Sequence, residues 1–402
     1  MKHVLRVSMN WLGAHWRGVI SAIVICSIAF LTLSTQISKL VPGQSRFETV
    51  TLSSLQKIPE PWFRAVNAPY MLPAYSVGKI FNNPLYGARL TSVIFGLLAT
   101  LFFFLLVKLW FNTRIAIVGS LLFITSSWLL HISHQAAPFI LAVTSLLALF
   151  CSLAWFLHTK KHKNLSFILF AITLGLATYV PYMPYVITIT LVILIIKEKQ
   201  ALLRLNSWVI ISSAVIYFAI LTPLFISLAS HPGQIKELLG IPLYMPSISQ
   251  YLSQLYHGGS MIIIKSVKLS ELHLGDLPLL DVFSSAMFFF GLFYYSKRLP
   301  KRRSLLILSS IILLILIVTL TTDYQLWITI LLPLIFMCII AGVVELLNQW
   351  FSYFPRNPLA RNIGVAIVVV AIGFTSFYHL QRYFIAWPNS SDTKSVYVVK
   401  SK

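Results

Sequence analysis

The sequence predicts an all-α polytopic membrane protein with about eleven transmembrane helices, organised as a single transmembrane domain over residues 1–402. Three observations predict this class. Of the 402 residues, 58% are hydrophobic and only 10% are charged, whereas a soluble domain carries about 25% charged residues. The apolar residues occur in runs that approach or exceed the roughly 20 residues needed to cross a bilayer. The charges collect between these runs, because a spanning segment must be apolar and internally hydrogen-bonded.

The first predicted span follows a short basic leader and is not followed by a small-residue cleavage site, so we expect an uncleaved signal anchor. The boundary at Tyr179–Pro184 is the least defined, since its two prolines could separate two short spans or kink one. The predicted spans lie near 17–38, 88–111, 115–133, 138–158, 165–180, 182–196, 207–229, 278–296, 304–321, 324–349 and 363–384.

The placement of charge predicts a cytoplasmic N-terminus and an outer C-terminus, because Lys and Arg concentrate in cytoplasmic loops. In that orientation 18 of the 31 Lys and Arg residues lie in cytoplasmic segments, and eight of the ten acidic residues lie outside. The short outer turns at 134–138 and 181–184 hold no basic residue. We therefore expect an integral protein of the cell (plasma) membrane.

The net charge of +21 does not indicate a nucleic-acid partner. The basic residues lie in short clusters between apolar runs and form no continuous basic face that could follow a phosphate backbone. The three cysteines lie within apolar runs and form no CxxC pair, so the sequence indicates neither a disulfide framework nor a zinc site. We expect no cofactor. A divalent metal is possible, but the residues do not support one.

Two predicted outer loops are long, one over residues 39–87 and one over residues 230–277. Connections of this length are uncommon unless they bind or catalyse something. In the first loop, aromatic residues such as Tyr70, Tyr75 and Phe81 alternate with prolines and charges. This composition is typical of segments at the level of the lipid headgroups, so we expect membrane-surface helices in both loops.

Two stretches resemble a known family most clearly. They run from Asn67 to Tyr75 (NAPYMLPAY) and from Phe81 to Gly96 (FNNPLYGARLTSVIFG). In these stretches and in its layout, the chain resembles membrane glycosyltransferases of the GT-C superfamily, specifically the group of protein O-mannosyltransferases and lipid A aminoarabinose transferases. Weaker matches begin at Arg114, Leu274 and Asp323.

The resemblance implies a GT-C-like fold and transfer of a sugar from a polyprenyl-phosphate-linked donor on the outer face. It implies that Glu48, in the first outer loop, is the catalytic base or a substrate anchor. Arg89 is the leading candidate to bind the phosphate group of the donor, because a guanidinium binds phosphate through two nitrogens. The predicted substrate-binding residues are Arg89, Asn67, Tyr70, His134, Gln135, Asp323 and Tyr324. The outer basic residues available for phosphate are Lys39, Arg46, Lys57, Arg64, Lys79, Arg89, Lys236, Lys265 and Lys268.

These residues also have plainer interpretations. Glu48 could be a solvated loop residue paired with Arg46, and Arg89 could extend to the interface as many membrane arginines do. His131 and His134 are three residues apart and could join Glu48 in a metal site, but a polar helix end facing a cavity is the favoured interpretation. The Asp323–Tyr324 pair could contact a sugar or cap a helix.

The family pattern is incomplete in this chain. Family members commonly carry an Asp-Glu pair just after the first span, where this chain has the single carboxylate of Glu48. They also tend to carry an Arg and an Asp where the third span emerges, where this chain reads SHQAAP over residues 133–138.

The sequence therefore favours a glycosyltransferase whose partners are a lipid-linked sugar donor, membrane lipids and a glycan, lipid or protein acceptor of the cell envelope. A catalytically degenerate GT-C-like protein that binds lipid-linked glycan or protein partners is the alternative. A lipid or solute transporter is a further alternative, although ionisable residues within the spans are expected of that class and are scarce here.

Overall fold

The computed structural model describes residues 20–35, 37, 40, 43–58, 64–266 and 269–397, and these residues form helices and loops with no β-strand. The predicted all-α class is confirmed for this part of the chain. The basic leader, Lys39 and Lys268 lie outside the described residues. The predicted first span also begins outside them, at residue 17.

A 3₁₀ turn, Ile328–Leu331, joins α15 to α16, and a π-helix, Arg382–Ala386, joins α17 to α18. The α-helices of the described residues are α1 (Ile20–Ser34), α2 (Arg46–Gln56), α3 (Ala68–Ile80), α4 (Pro84–Trp110), α5 (Thr113–Thr125), α6 (Ser127–His134), α7 (Phe139–His158), α8 (Lys163–Ala177), α9 (Met183–Leu203), α10 (Ser207–Ser230), α11 (Gly233–Leu239), α12 (Ile248–Ile263), α13 (Val282–Ser296), α14 (Arg302–Val318), α15 (Tyr324–Trp327), α16 (Leu332–Tyr353), α17 (Pro358–Gln381), α18 (Trp387–Asn389) and α19 (Ser391–Val396).

Each predicted span coincides with a helix or a helix series in this part of the chain. Helices α1, α8 and α13 are apolar but shorter than the others. The chain is thus an integral membrane protein with several apolar helices, and the count of eleven spans and the orientation stay predictions. The helices and helix series long and apolar enough to cross a membrane are Pro84–Trp110, Phe139–His158, Ser207–Ser230, Tyr324–Tyr353 and Pro358–Asn389, with α5 and α6 as one further bent pair.

The third predicted span differs from a single straight helix. It is divided between α5 and α6, which meet at an angle of 60°. Ser126, at the junction, has φ −58° and ψ 124°, an extended conformation that interrupts the helical hydrogen bonds. Every residue of α6 is buried, so the bend carries His131 and His134 into the protein interior.

The break at residues 179–184 separates two helices. Helix α8 ends at Ala177 and α9 begins at Met183. Tyr182, just before α9, has a positive φ of 65°, which a continuous right-handed helix does not contain. Of the two alternatives at these prolines, the structure contains the turn.

Helix α7 and the helix series Tyr324–Tyr353 form the interior of the bundle. In each, 83% of the most apolar stretch is buried, whereas in α10 only 17% is buried. The exposed face of α10 is apolar and includes Val215, Phe218 and Phe225. A contiguous apolar face is rare on a soluble protein. It is the expected surface of a helix in contact with lipid.

Short helices lie within both predicted outer loops, as expected. The first loop contains α2 and α3, and the second contains α11 and α12. Helix α3 packs closely on α4 where Gly78 faces Gly87, since a Cβ on Gly87 would lie 2.3 Å from the Gly78 Cα. This contact fixes the first loop against the start of α4, where Arg89 lies.

Helices α13 and α16 approach each other closely. A Cβ added to Gly342 would lie 1.9 Å from the carbonyl oxygen of Met287, and one added to Gly291 would lie 1.8 Å from that of Cys338. Small residues at such crossings allow the backbones of membrane helices to pack directly against each other.

We expect Gly342→Ala to destabilise the protein by about 1–3 kcal/mol, because the added methyl group forces α13 and α16 apart. The matched control is Gly373→Ala in α17, where nothing lies within 4 Å of the added Cβ. The control should be neutral or slightly stabilising, because alanine is the better helix former. Thermal unfolding in detergent measures both variants. Equal transition temperatures for the two would contradict the proposed crossing.

Candidate functional site

Helix α2 begins with a capping box formed by Ser45 and Glu48. The Ser45 hydroxyl accepts a hydrogen bond from the Glu48 backbone N–H at 3.3 Å, and the Ser45 N–H donates to Glu48 Oε2 at 3.1 Å. A Ser three residues before a Glu is a common helix-start pattern. The cap turns the Glu48 carboxylate back towards the start of α2 and into the protein, where it is 1% exposed.

Arg89 of α4 forms a two-pronged ion pair with this carboxylate. Its Nε donates to Glu48 Oε1 and its Nη2 donates to Glu48 Oε2, both at 2.8 Å. The Ala136 N–H donates to Oε1 at 3.0 Å, and Arg89 Nη2 also donates to the Gly43 carbonyl at 2.9 Å. A carboxylate has about four acceptor positions, so the four bonds from Ser45, Arg89 and Ala136 occupy all of them.

A small cavity of about 20 Å³ lies beside the ion pair. It is large enough for about one water-sized group and too small for a sugar. Both ring nitrogens of His131 are buried without a hydrogen-bond partner among the described residues. His134 uses Nδ1 to donate to the Leu130 carbonyl at 2.9 Å. The cavity is lined by Ile37, Leu40, Glu48, Arg89, His131, His134, Gln135, Tyr383, Trp387 and Tyr397.

The C-terminal segment lines this cavity and is hydrogen-bonded to the segment between α12 and α13. The His131 ring lies edge-to-face against Tyr383 at 4.8 Å and Trp387 at 4.6 Å, measured between ring centroids. Trp387 Nε1 donates to the Ser270 carbonyl at 2.8 Å, and Tyr397 donates to the Glu271 carbonyl at 3.3 Å. Burial raises the pKa of the Tyr397 hydroxyl above its usual range, so this group stays a neutral donor.

A much larger cavity, of about 730 Å³, lies on the other side of α2. Its volume is within the range of about 300–1,000 Å³ typical of ligand sites. The basic side chains of Arg46, Lys57 and Arg64 line it, as do the carboxylates of Glu237 and Asp323. This cavity therefore combines room for a sugar with cations suited to phosphate.

Helix α2 thus separates two environments. Arg46, Phe47 and Thr51 line the large cavity, and Glu48 lines the small one. Asn67 also lines the large cavity, where its buried Oδ1 has no hydrogen-bond partner among the described residues.

The structure divides the predicted site residues between these places. It brings Glu48, Arg89, His134 and Gln135 together at the small cavity, and Asn67 and Asp323 to the large one. Tyr70 and Tyr324 are buried and are not among the residues that line either cavity.

Tyr70 is hydrogen-bonded to residues that neighbour the small cavity. Its hydroxyl bonds to the Ala88 carbonyl at 3.0 Å and to Ser92 Oγ at 2.9 Å. Ser92 Oγ in turn donates to the Gln135 carbonyl at 2.6 Å. These contacts join α3, α4 and the segment after α6.

The interpretation of Glu48 as a solvated residue paired with Arg46 is wrong. Glu48 is buried and its partner is Arg89, because the capping box turns the carboxylate inward while Arg46 lines the opposite cavity. The spacing of Ser45 and Glu48 was the sequence signal for this inward direction. No comparable signal indicates the cavity-lining roles of Tyr383, Trp387 and Tyr397, since their sequence reads as an interfacial aromatic belt.

Within the described part of the chain, no group of three or more His, Cys, Asp and Glu side chains is arranged to hold a metal ion. His131 and His134 line the same cavity as Glu48, but the Glu48 oxygens are already bonded to Arg89, Ser45 and Ala136.

Comparison with known proteins places the fold. Residues 69–226 match the family of dolichyl-phosphate-mannose-protein mannosyltransferases. No curated protein sequence is significantly similar to the chain.

Among solved structures, the chain is similar to ArnT from Cupriavidus metallidurans bound to undecaprenyl phosphate, with a TM-score of 0.55 and 14% identity over 95% of this chain and 77% of ArnT. It is also similar to the archaeal oligosaccharyltransferase AglB from Archaeoglobus fulgidus in complex with an inhibitory peptide and a dolichol-phosphate, with a TM-score of 0.55 and 15% identity over 95% of this chain and 56% of AglB. The resemblance to the GT-C superfamily is confirmed at the level of the fold.

We expect Glu48→Gln to reduce stability by about 3–5 kcal/mol, because it leaves the Arg89 charge buried without its counter-ion. The matched control is Glu198→Gln. Glu198 pairs with Arg302, but the two side chains are 25% and 30% exposed, so we expect the control to lose about 1 kcal/mol or less. Thermal unfolding in one detergent measures both, and an equal effect of the two substitutions would show that the Glu48–Arg89 pair is not an anchor.

The buried side chain of His273, between α12 and α13, makes stability depend on pH. Burial, and secondarily the charge of Arg382, lowers the pKa of His273 to about 3, against about 6.5 in an unfolded chain. Between these values the unfolded chain binds the extra proton, so stability falls as pH decreases from about 6.5 towards 3.

His273→Gln should therefore flatten the decline of the transition temperature between about pH 6.5 and 4.5. The control is His257→Gln, since His257 is exposed. A decline in His273→Gln as steep as in the control would rule out a buried neutral His273.

Proposed function

We propose that this chain transfers a sugar from a polyprenyl-phosphate-linked donor to an acceptor of the cell envelope on the outer face of the membrane. The supporting observation is the large cavity, which three cations and two carboxylates line within a GT-C fold. The similarity to ArnT, whose structure holds undecaprenyl phosphate, supports the class of donor.

In this proposal Arg46, Lys57 and Arg64 hold the donor phosphate. Their side chains are exposed to the large cavity, and the guanidinium groups can contact two phosphate oxygens each. As the bond from the anomeric carbon to the phosphate oxygen breaks, its electron pair stays on the phosphate, and the three cations stabilise that charge.

Asp323 is the proposed base. Its carboxylate is exposed at the cavity wall, so it is free to take the proton of the acceptor group as that group attacks the anomeric carbon. An oxocarbenium-like transition state is stabilised by a nearby carboxylate. Asn67, with its unpaired Oδ1, is proposed to accept a hydrogen bond from a sugar hydroxyl.

Glu48 is proposed as a positioning residue, although the family resemblance implies a catalytic base or a substrate anchor at this position. All four acceptor positions of its carboxylate are engaged, so proton uptake would require the loss of an existing bond. Through Arg89 it holds α2, whose opposite face carries Arg46 into the large cavity. Arg89, His134 and Gln135 then support the site from the small cavity.

The test is a transfer assay with the purified full chain in nanodiscs, radiolabelled undecaprenyl-phosphate sugars and a cell-envelope acceptor fraction. We expect Asp323→Asn to lower kcat about 10²–10⁴-fold, as loss of a general base does, with little change in the KM of the donor. Glu48→Gln should mainly raise the KM of the donor, because α2 is no longer fixed. Asp276→Asn, an exposed acid of the second outer loop, is the control and should behave as wild type.

A kcat loss in Glu48→Gln with unchanged KM, and full activity in Asp323→Asn, would instead make Glu48 the base. Assays run below the unfolding transition of each variant separate these effects from stability.

A catalytically degenerate binding protein is the second candidate, and one observation favours it. The carboxylate at the family's catalytic location is fully bonded to the protein itself. This candidate predicts that the wild type binds undecaprenyl phosphate, that binding weakens in a Lys57→Gln/Arg64→Gln variant, and that no sugar is transferred to any acceptor. Absence of both binding and transfer would contradict both candidates.

A further inference from the structure

A third cavity, of about 490 Å³, lies at the opposite end of the bundle from the two cavities beside α2. Helix α4 shows the separation, because Arg89 lies near its start and Trp110, which lines this cavity, is its last residue. At 1.5 Å per residue the rise from Arg89 to Trp110 is about 30 Å, which is about the thickness of the hydrocarbon core of a bilayer. This cavity and the cavities beside α2 therefore belong to opposite membrane surfaces.

The charge of this cavity is strongly positive. Five cations and one carboxylate line it: Lys197, Arg298, Lys301, Arg302, Arg303 and Glu198. They come from the end of α9, the loop between α13 and α14, and the start of α14. Four of the five cations lie within residues 298–303, and Lys197 of α9, which is distant in sequence, lines the same concave site.

Three arginines are held in place by protein groups. Arg298 stacks on the Tyr294 ring at 3.6 Å and contacts Glu345 at 3.4 Å. Arg303 Nη1 donates to the Trp110 carbonyl at 2.6 Å, and Arg302 pairs with Glu198. These contacts orient the guanidinium groups before any ligand binds, which lowers the entropy lost on binding.

Two lysines are left without a counter-ion. Lys197 and Lys301 are exposed and line the cavity, and no acidic side chain in the described part of the chain lies within ion-pair distance of either. The cavity thus carries uncompensated charge that an anionic ligand would neutralise.

An apolar crevice adjoins the basic cavity. Trp110, Glu198, Arg302 and Arg303 line both. The rest of the crevice wall is almost entirely apolar and includes Phe150, Leu153, Leu157, Ile193, Leu194 and Leu306. The crevice itself has room for only about one water-sized group, about 20 Å³, so an apolar chain would lie along its wall rather than inside it.

We propose that this cavity binds the phosphate headgroup of an anionic phospholipid, with the start of an acyl chain against the apolar crevice. A soluble phosphate would contact the cations alone, whereas the acyl chain of a lipid would also cover the apolar wall beside them, so the combination favours a lipid. Basic pockets between membrane helices bind anionic headgroups in this way. The proposal concerns the surface opposite the proposed transfer site and does not depend on that function.

The test uses the full chain purified in detergent and native mass spectrometry with phosphatidylglycerol, which is anionic, and phosphatidylcholine, which is zwitterionic. We expect phosphatidylglycerol to bind at least about tenfold more tightly, and Lys197→Gln/Lys301→Gln to remove most of that preference, since each basic group near an anionic lipid contributes about a five- to tenfold change in affinity. The control is Lys160→Gln/Lys161→Gln, which removes the same charge from exposed residues between α7 and α8 that are not among those lining the cavity.

Competition identifies the source of the phosphate. Glycerol 3-phosphate and inorganic phosphate, each in millimolar excess, should leave phosphatidylglycerol bound if the acyl chain contributes. Displacement by either at that concentration would overturn the lipid proposal in favour of a soluble phosphate. Equal binding of the two lipids, or an equal loss of binding in the two double variants, would overturn the site itself. Gel filtration and transition temperature confirm that both double variants are folded.

Discussion

The buried ion pair between Glu48 and Arg89 is the interaction on which the outer part of this protein depends. Removing two charges from water is costly, and the cost is offset only when every polar atom of the pair finds a partner. Here the partners are the Ser45 N–H and the Gly43 carbonyl, from the segment that leads into α2, and the Ala136 N–H, from the turn after α6. Satisfying one carboxylate therefore fixes the entry of α2, the outer end of α4 and the turn after α6 relative to each other.

This arrangement gives α2 two different faces. The inward face carries Glu48 and borders a small, aromatic-lined cavity, to which the C-terminal segment and the segment between α12 and α13 contribute. The other face carries Arg46 and borders a cavity of about 730 Å³ with further cations and Asp323. A rigid support behind a polar, solvent-connected cavity is what a transferase needs to hold a charged donor in one orientation. The same support would also suit a protein that only binds the donor.

Much of the fold could be predicted from the sequence, because the bilayer imposes a simple pattern on it. Apolar runs gave the positions of the helices, and the two long loops contain short helices, whose place at the membrane surface stays a prediction. The bend between α5 and α6 was not predicted, because a polar triplet such as Thr125-Ser126-Ser127 within an apolar run does not by itself indicate a break in a helix. The inward direction of Glu48 was available from the Ser45–Glu48 spacing. The aromatic wall of Tyr383, Trp387 and Tyr397 was not, because contacts between distant segments leave no local sequence signal.

The most direct test of this account is a cryo-electron microscopy structure of the full chain in nanodiscs with undecaprenyl phosphate. We expect phosphate density in the large cavity, within hydrogen-bonding distance of at least two of Arg46, Lys57 and Arg64. The Glu48–Arg89 pair should be intact on the opposite side of α2. Phosphate bound to Arg89, with Glu48 displaced and the small cavity opened, would contradict this expectation.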